Sequence, residues 1–173
     1  MIRQTVLIAF CLVVLPAAGN GAGTLAQVAA TADLRAPHRV TVERWLVSKP
    51  MLRLATEKDC LNVEGLSASR AEYGQSYQPY YAIGDFNHDG QPDFAVALVN
   101  KQKSSRKFAM AIFNGPFNQR GTISPALFSK GMDLSGGGLV VQSGGRLVAG
   151  VFQSDDCVVL RPRGRTYLMK SCL

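Results

Sequence analysis

The chain has 173 residues and carries 19 Lys and Arg against 12 Asp and Glu, a formal net charge of +7. This length suits one domain with a hydrophobic core. Beyond the first residues no segment is apolar over the about 20 residues that a spanning helix needs, which excludes a protein with several membrane helices.

The N-terminal residues have the pattern of a secretory signal peptide. Met1-Ile2-Arg3 provides a short positive start, an apolar run extends from Thr5 to Leu15, and small residues follow up to Gly19. A retained N-terminal anchor is the alternative. We expect residues 1–19 to be removed and the protein to be secreted or periplasmic. Loss of Arg3 and no acid lowers the net charge from +7 to +6.

The next part of the chain predicts a lead-in and one or two short helices. Residues 20–39 are small and weakly patterned, and we expect a mobile lead-in before a single globular domain over 40–173. A short helix is predicted over 40–47, ended by Pro50. A second helical turn or two is predicted over 51–58, and a polar surface loop over 62–78.

After Pro79 the pattern changes to short apolar runs separated by turn residues, which is typical of successive antiparallel strands. We predict a mainly β (α+β) fold, an antiparallel meander of about seven strands with one or two short N-terminal helices. Two of the runs are apolar at every position, so we expect both faces of those strands to be covered. They are Phe94–Val99 and Phe108–Phe113. The other runs are Tyr80–Ile83, Leu139–Val141, Leu147–Phe152, Val158–Leu160 and Thr166–Met169.

Three cysteines remain after signal removal, namely Cys60, Cys157 and Cys172. An oxidising destination predicts one disulfide and one thiol left over. A two-residue turn at residues 164–165 would place Cys157 directly opposite Cys172, at a spacing compatible with a bridge. The alternative, Cys60 with Cys157, closes a longer loop that gains more in the chain-entropy model, and we favour it.

Positive charge is concentrated in two clusters, Lys101–Lys107 and Arg161–Arg165. An exported basic protein could use such charge on anionic partners, whether lipid headgroups, wall polymers or nucleic acid. Neither cluster is interleaved with the stacking aromatics of single-strand binders, so no specific nucleic-acid contact is expected. Solvated hairpin tips are the simpler interpretation.

Residues 85–93 carry the chemistry of a metal loop. Calcium takes six to eight oxygen ligands at about 2.3–2.6 Å, and alternate side chains of a curled loop can supply them. Asp85, Asn87 and Asp89 occupy positions 1, 3 and 5, and Gly90 at position 6 permits the positive φ of a sharp turn. Gln91 would offer its backbone carbonyl and Asp93 would close the site directly or through water. The sequence therefore predicts bound calcium.

Position 12 of this loop is Val96, within a predicted strand, whereas an EF-hand needs a bidentate Glu there and flanking helices. The run Ile83-Gly84-Asp85-Phe86-Asn87-His88-Asp89-Gly90-Gln91-Pro92-Asp93-Phe94-Ala95-Val96 resembles the FG-GAP or VCBS repeat of integrin-type β-propellers. The resemblance implies calcium ligation by Asp85, Asn87, Asp89, Gln91 and Asp93. It covers about residues 79–99, the motif occurs once, and His88 stands where the family usually has glycine. Seven or eight strands cannot build a propeller.

A metal-free alternative is an Asp/Asn-rich turn held by side chain to backbone hydrogen bonds. It accounts for Asn87, Asp89 and Gly90, but it gives no reason for acids at positions 1 and 9.

Three functions remain open at this stage. The first is an exported, non-enzymatic calcium-binding β-domain with a structural metal. The second is a partner-binding or inhibitory protein of the envelope, and the third is a hydrolase. The chain has two histidines and lacks both the G-x-S-x-G and H-E-x-x-H motifs. Two sets of acids remain as candidates for catalysis. They are Glu57, Asp59 and Glu64, and the adjacent pair Asp155-Asp156.

Overall fold

A computed structural model describes residues 33–102, 108–117 and 123–172. The predicted signal peptide, residues 20–32 of the predicted lead-in and most of the basic cluster 101–107 lie outside these ranges. In the described part of the chain, no helix has the length and apolar character needed to cross a membrane.

Two helices and nine strands make up the described fold. The helices are α1 (Ala36–Val47) and α2 (Val63–Tyr73). The strands of the first sheet are β1 (Leu52–Leu54), β2 (Tyr81–Gly84), β3 (Asp93–Asn100), β4 (Phe108–Phe113) and β5 (Leu127–Met132). Those of the second sheet are β6 (Gly137–Gln142), β7 (Arg146–Val151), β8 (Cys157–Arg163) and β9 (Thr166–Ser171). Single 3-10 turns lie at Glu57–Asp59 and Ser143–Gly145.

Strand β3 organises the first sheet. One edge of β3 pairs with β2 over its first half and with β1 over its last residues. The other edge of β3 pairs with β4, and the far edge of β4 pairs with β5. The second sheet is a simple meander in the order β6-β7-β8-β9. Every pairing is antiparallel. The prediction of a mainly β fold is confirmed, with nine strands instead of about seven.

Both faces of β3 and β4 are covered, as their uninterrupted apolar sequences predict. Every residue from Asp93 to Val99 and from Phe108 to Phe113 is buried. Helix α1 covers one face through Val42, Trp45 and Leu46, and the Trp45 ring meets the edges of two phenylalanine rings of the sheet.

The second sheet covers the other face. Its inward side chains pack against those of β3 and β4 in one continuous cluster that also takes in Cys60 and Leu66. The largest contributors from the first sheet are Phe108, Met110 and Ile112, and those from the second are Leu139, Leu147, Leu160 and Tyr167. The molecule is therefore layered as helix, sheet and sheet, with the β2–β3 connection at one end.

The helix predicted over 40–47 is confirmed with an earlier start, whereas the predictions for residues 51–58 and 62–78 are wrong. Helix α1 begins at Ala36, four residues before the predicted start, with Pro37 in its first turn, where a missing N–H costs nothing. The predicted helix over 51–58 is instead the short strand β1 followed by a 3-10 turn. Leu52 and Leu54 alternate with Arg53, which is the period of a strand.

The predicted loop over 62–78 contains helix α2. Asn62 caps its start, since the Asn62 side chain accepts a hydrogen bond from Gly65 N at 2.8 Å. Gly74 follows its last residue with φ of 97°. A helix of about three polar-rich turns is stable here because Leu66 and Ser69 are buried against the body of the protein.

The disulfide joins Cys157 to Cys172, and Cys60 is a buried free thiol. The favoured pairing of Cys60 with Cys157 is therefore wrong, and the register argument for the alternative holds. Arg163 pairs with Thr166 across a two-residue turn, which places Cys157 opposite Cys172 at a Cα separation of 5.4 Å. The pairing of Cys157 with Cys172 follows the register of the hairpin, although the Cys60–Cys157 bridge would close a longer loop.

Candidate metal centre

The predicted metal loop is the eight-residue connection between β2 and β3. Gly84 ends β2 and lies directly opposite Asp93, the first residue of β3. Side chains of the loop from His88 to Gln91 are exposed, whereas Phe86 is only 2% exposed and belongs to the core between the sheets. A Cβ added to Gly84 would lie 2.6 Å from the Phe86 ring, so glycine at this position leaves room for that anchor.

The side chains at positions 1, 3 and 5 converge on the exposed side of the loop. The two carboxylate oxygens of Asp85 accept hydrogen bonds from Asp89 N at 3.1 Å and Gly90 N at 2.9 Å. The Asn87 amide contacts the Asp89 carboxylate at 2.9 Å. Asn87 Oδ1 also accepts from Asp89 N, at 3.0 Å, so these hydrogen bonds group two carboxylates and one amide around the same turn.

The backbone of the loop makes two left-handed turns. Gly90 has φ of 82°, which confirms the positive φ predicted for position 6. His88 has φ of 61°, a conformation in which a side chain is strained and glycine is not. The His88 ring lies beside Gly145, at the turn between β6 and β7.

Asp93 lies beneath the loop and is fully buried. Its Oδ2 accepts hydrogen bonds from Phe86 N at 2.8 Å and Asn87 N at 3.2 Å, and its Oδ1 accepts one from Gly115 N at 3.0 Å. The Tyr167 hydroxyl of β9 lies 3.3 Å from Oδ2. Burial raises the pKa of Asp93, and these hydrogen bonds offset only part of that rise. The carboxylate therefore joins the loop to two distant segments of the chain.

The donor chemistry of the exposed turn fits a hard cation. Asp85, Asn87 and Asp89 offer carboxylate and amide oxygens, the ligands that calcium prefers. Across the described ranges, no cluster of three or more His, Cys, Asp and Glu side chains is arranged to hold a metal ion. The turn brings together two carboxylates and an amide, and the Asp93 carboxylate lies beneath them with three backbone N–H partners. For Gln91, the described contact is its backbone N–H, which donates to Asp89 Oδ1 at 2.9 Å.

The structure also gives a metal-free role to the acids at positions 1 and 9. Asp85 closes the turn by accepting two backbone N–H groups, and Asp93 accepts three. Both roles are of the kind that Asp plays in turns without metal. The hydrogen bonds alone therefore account for the shape of the loop, and its exposed carboxylates are what favours a cation.

Asp93 has further partners that the sequence does not predict. Tyr167 and Asn114 meet at 2.7 Å beside it, and Gly115 precedes a cis peptide bond to Pro116. A Cβ on Gly115 would lie 2.5 Å from Pro92 O, so the two connections touch. Tyr167 is 74 residues from Asp93 along the chain, and no local pattern signals such a contact.

The acids considered for catalysis are engaged elsewhere or exposed. Asp59 accepts two hydrogen bonds from the Arg53 guanidinium, at 2.8 and 2.6 Å. Burial alone would raise the pKa of Asp59, but the bonds from Arg53 and Thr56 outweigh it and the pKa is lowered. Glu57 pairs with Arg70 at a cavity of about 260 Å³. Asp155 and Asp156 lie exposed in the β7–β8 turn.

Searches of known protein families, curated proteins and solved structures found no match to this chain.

Proposed function

We propose that the protein is an exported, non-enzymatic β-domain whose β2–β3 loop binds calcium as a structural ion. The observation that carries the proposal is the convergence of Asp85, Asn87 and Asp89 on the exposed side of one turn. Two carboxylates held this close repel each other, and a divalent cation between them removes the repulsion.

The position of the loop supports a structural role for the ion. Its backbone is fixed from below by Asp93 and by the buried Phe86 ring, so the exposed carboxylates are presented by a rigid support. A bound ion would add its binding free energy to the stability of the folded state. Asp93 would orient the loop and would not need to touch the metal.

Export is supported by the N-terminal pattern of residues 1–19 and by the disulfide between Cys157 and Cys172. Disulfides persist in oxidising compartments and are rare in the cytosol of most organisms. Expression with its own leader in a bacterial host, followed by mass spectrometry of the N-terminus, tests this part of the proposal. Recovery of the unprocessed chain from the cytosol would contradict it.

Calcium-dependent melting tests the metal loop. Extracellular modules bind calcium at about 10⁻⁴–10⁻³ M. At a calcium concentration about ten times Kd, the stabilisation is about 1.4 kcal/mol, which raises the Tm of a domain of this size by about 3–6 °C. Magnesium, which demands a tighter octahedral geometry, should give a smaller shift.

The variants Asp85→Asn and Asp89→Asn remove charge while keeping one acceptor oxygen. Both should lose the calcium shift, even if their own Tm in chelator is lower. Asp155→Asn, an exposed acid in a different turn, is the matched control and should keep the full shift. No calcium shift in the wild-type protein, or equal shifts in all four proteins, would remove the proposal.

A further inference from the structure

The outer face of the β8–β9 hairpin collects basic side chains. Arg161 lies directly opposite Leu168, and Val159 lies opposite Lys170. Residues opposite each other share a face of the sheet, and alternate residues share it too, so Arg163 belongs to the same face. The opposite face of the hairpin is the core-facing one. Its Leu160 and Tyr167 are 3% and 4% exposed.

No acid neutralises this face within the hairpin. Arg161, Arg163 and Lys170 are exposed, as is Arg165 in the turn, and residues 157–172 contain neither Asp nor Glu. The ion pairs found in the described ranges join Arg53 to Asp59 and Arg70 to Glu57, away from this hairpin. Asp155 and Asp156 lie exposed in the β7–β8 turn just before the hairpin, so the positive field is strongest toward the β8–β9 turn, where Arg161, Arg163 and Arg165 lie, and it favours an anionic partner there.

The shape of the β8–β9 hairpin and its exposed apolar side chain indicate which class of anionic partner it would bind. The hairpin is closed at one end by the disulfide and at the other by a two-residue turn, so its charges stand on a short, fixed ribbon. Leu168, opposite Arg161 on this face, is 41% exposed between the cations. The aromatic ring of the hairpin, Tyr167, is turned into the core and is not available for stacking on nucleic-acid bases.

We propose that the outer face of β8–β9 is a docking surface for a membrane that contains anionic lipids. Arg161, Arg163, Arg165 and Lys170 would contact the headgroups, and Leu168 would enter the interface between them. A planar, extended array of negative charge complements a ribbon with cations along its length. This inference is independent of the metal loop.

Vesicle co-sedimentation tests the proposal on the protein purified after export, with calcium chelated. Vesicles of phosphatidylcholine with phosphatidylglycerol should retain the protein, and pure phosphatidylcholine vesicles should not. Raising the salt concentration should weaken the binding, because it screens exposed charges. All variants carry the same N-terminus, so binding to the neutral vesicles shows what that segment contributes.

The double variant Arg161→Gln/Arg163→Gln should lower the partition coefficient about 30-fold, and Arg165→Gln about fivefold. The control Lys49→Gln/Lys58→Gln makes the same change in net charge at exposed positions outside the hairpin and should alter binding less than about twofold. Leu168→Ser should weaken binding most at high salt, where the apolar contact dominates.

Two outcomes would overturn the proposal. One is an equal loss of vesicle binding in the hairpin variant and the control, which would indicate a response to net charge alone. The other is a preference for a double-stranded oligonucleotide over anionic vesicles at the same salt, lost in the hairpin variants, which would assign the face to nucleic acid. Thermal melting of each variant verifies that it is folded.

Discussion

Acidification should destabilise the protein through His38, one of its two histidines. The His38 ring is 4% exposed and stacks on Phe94 at a centroid distance of 4.3 Å. Its Nδ1 lies 2.6 Å from the Tyr81 hydroxyl, which itself accepts a hydrogen bond from Arg35 N. With the ring proton on Nε2, the Tyr81 hydroxyl donates to Nδ1, and protonation of the ring at Nδ1 would reverse that hydrogen bond. Burial, and secondly the charge of Arg35, lower the pKa of His38 to about 4.

The sign of the effect follows from comparing the two states. Above pH 6.5, His38 is neutral in both the folded and the unfolded chain, and it contributes no pH dependence. Between pH 6.5 and 4 the unfolded chain takes up a proton that the folded protein does not, so the free energy of unfolding falls as the pH falls. A difference of about 2.5 pKa units corresponds to about 3 kcal/mol, fully expressed below pH 4.

Urea unfolding in chelator at a series of pH values from 7 to about 4 measures this loss. The variant His38→Gln keeps an acceptor for Tyr81 and should be less dependent on pH in that window, although it is less stable at pH 7. His88→Asn is the matched control, because His88 is exposed and Asn tolerates its positive φ. Asp93, whose pKa is raised, titrates with the opposite sign and cancels in the comparison with wild type. Parallel pH profiles for wild type and His38→Gln would refute the reasoning.

Two further predictions concern the hairpin β8–β9. Tyr167→Phe removes the hydroxyl beside Asp93 and should lower the free energy of unfolding by about 1–3 kcal/mol and weaken calcium binding. The matched variant Tyr80→Phe removes a buried hydroxyl that donates to Leu134 O, and it should leave the calcium midpoint unchanged. Equal calcium midpoints in the two variants would separate Asp93 from the metal loop. Replacing Cys157 and Cys172 by Ser should lower stability in urea by about 3 kcal/mol and abolish the response to reductant, whereas Cys60→Ser should retain that response. A response lost in Cys60→Ser would show that Cys60 forms the bridge.

The elements that the sequence predicted correctly are those with a single local cause. Strands β3 and β4 are apolar at every position because both of their faces are covered, and that pattern is legible without the structure. Strand β5 was missed because it lies at an edge, and its Ser129, Lys130 and Gly131 are tolerated only where one side is open. Strand β1 has three residues, and the single alternation of Leu52, Arg53 and Leu54 is too short to decide between a strand and a helix from the sequence.

Helix α2 shows how a local signal can be passed over. Its hydrophobic face is minimal, since Leu66 is its one large buried apolar side chain, and helical periodicity is therefore absent. The cap at Asn62 and the glycine at Gly74 were available in the sequence and mark its two ends. For helix α2, the capping residues predict the helix better than its apolar pattern does.

The candidate metal loop contains local contacts that the sequence predicts and long-range contacts that it does not. The turn formed by Asp85, Asn87, Asp89 and Gly90 depends on residues within five positions of each other, so spacing alone predicts it. The position of the Asp93 side chain depends on Gly115, after β4, and on Tyr167 of β9, which are 22 and 74 residues further along the chain. A motif can assign a ligand by position, but it does not reveal that the same carboxylate is already occupied by backbone N–H groups.

All strands of the second sheet follow those of the first along the chain, and this order has a consequence for synthesis. The first sheet is complete at Met132, whereas the strands that cover its inner face begin at Gly137. Until the second sheet follows, Phe108, Met110 and Ile112 face solvent in a fully paired sheet. A chain whose synthesis ends between Met132 and Gly137 would leave the apolar face of the first sheet exposed to solvent, and such a face promotes aggregation. The second sheet therefore covers an apolar face that the first sheet cannot bury alone, and a chain that ends before Gly137 should aggregate or be proteolysed.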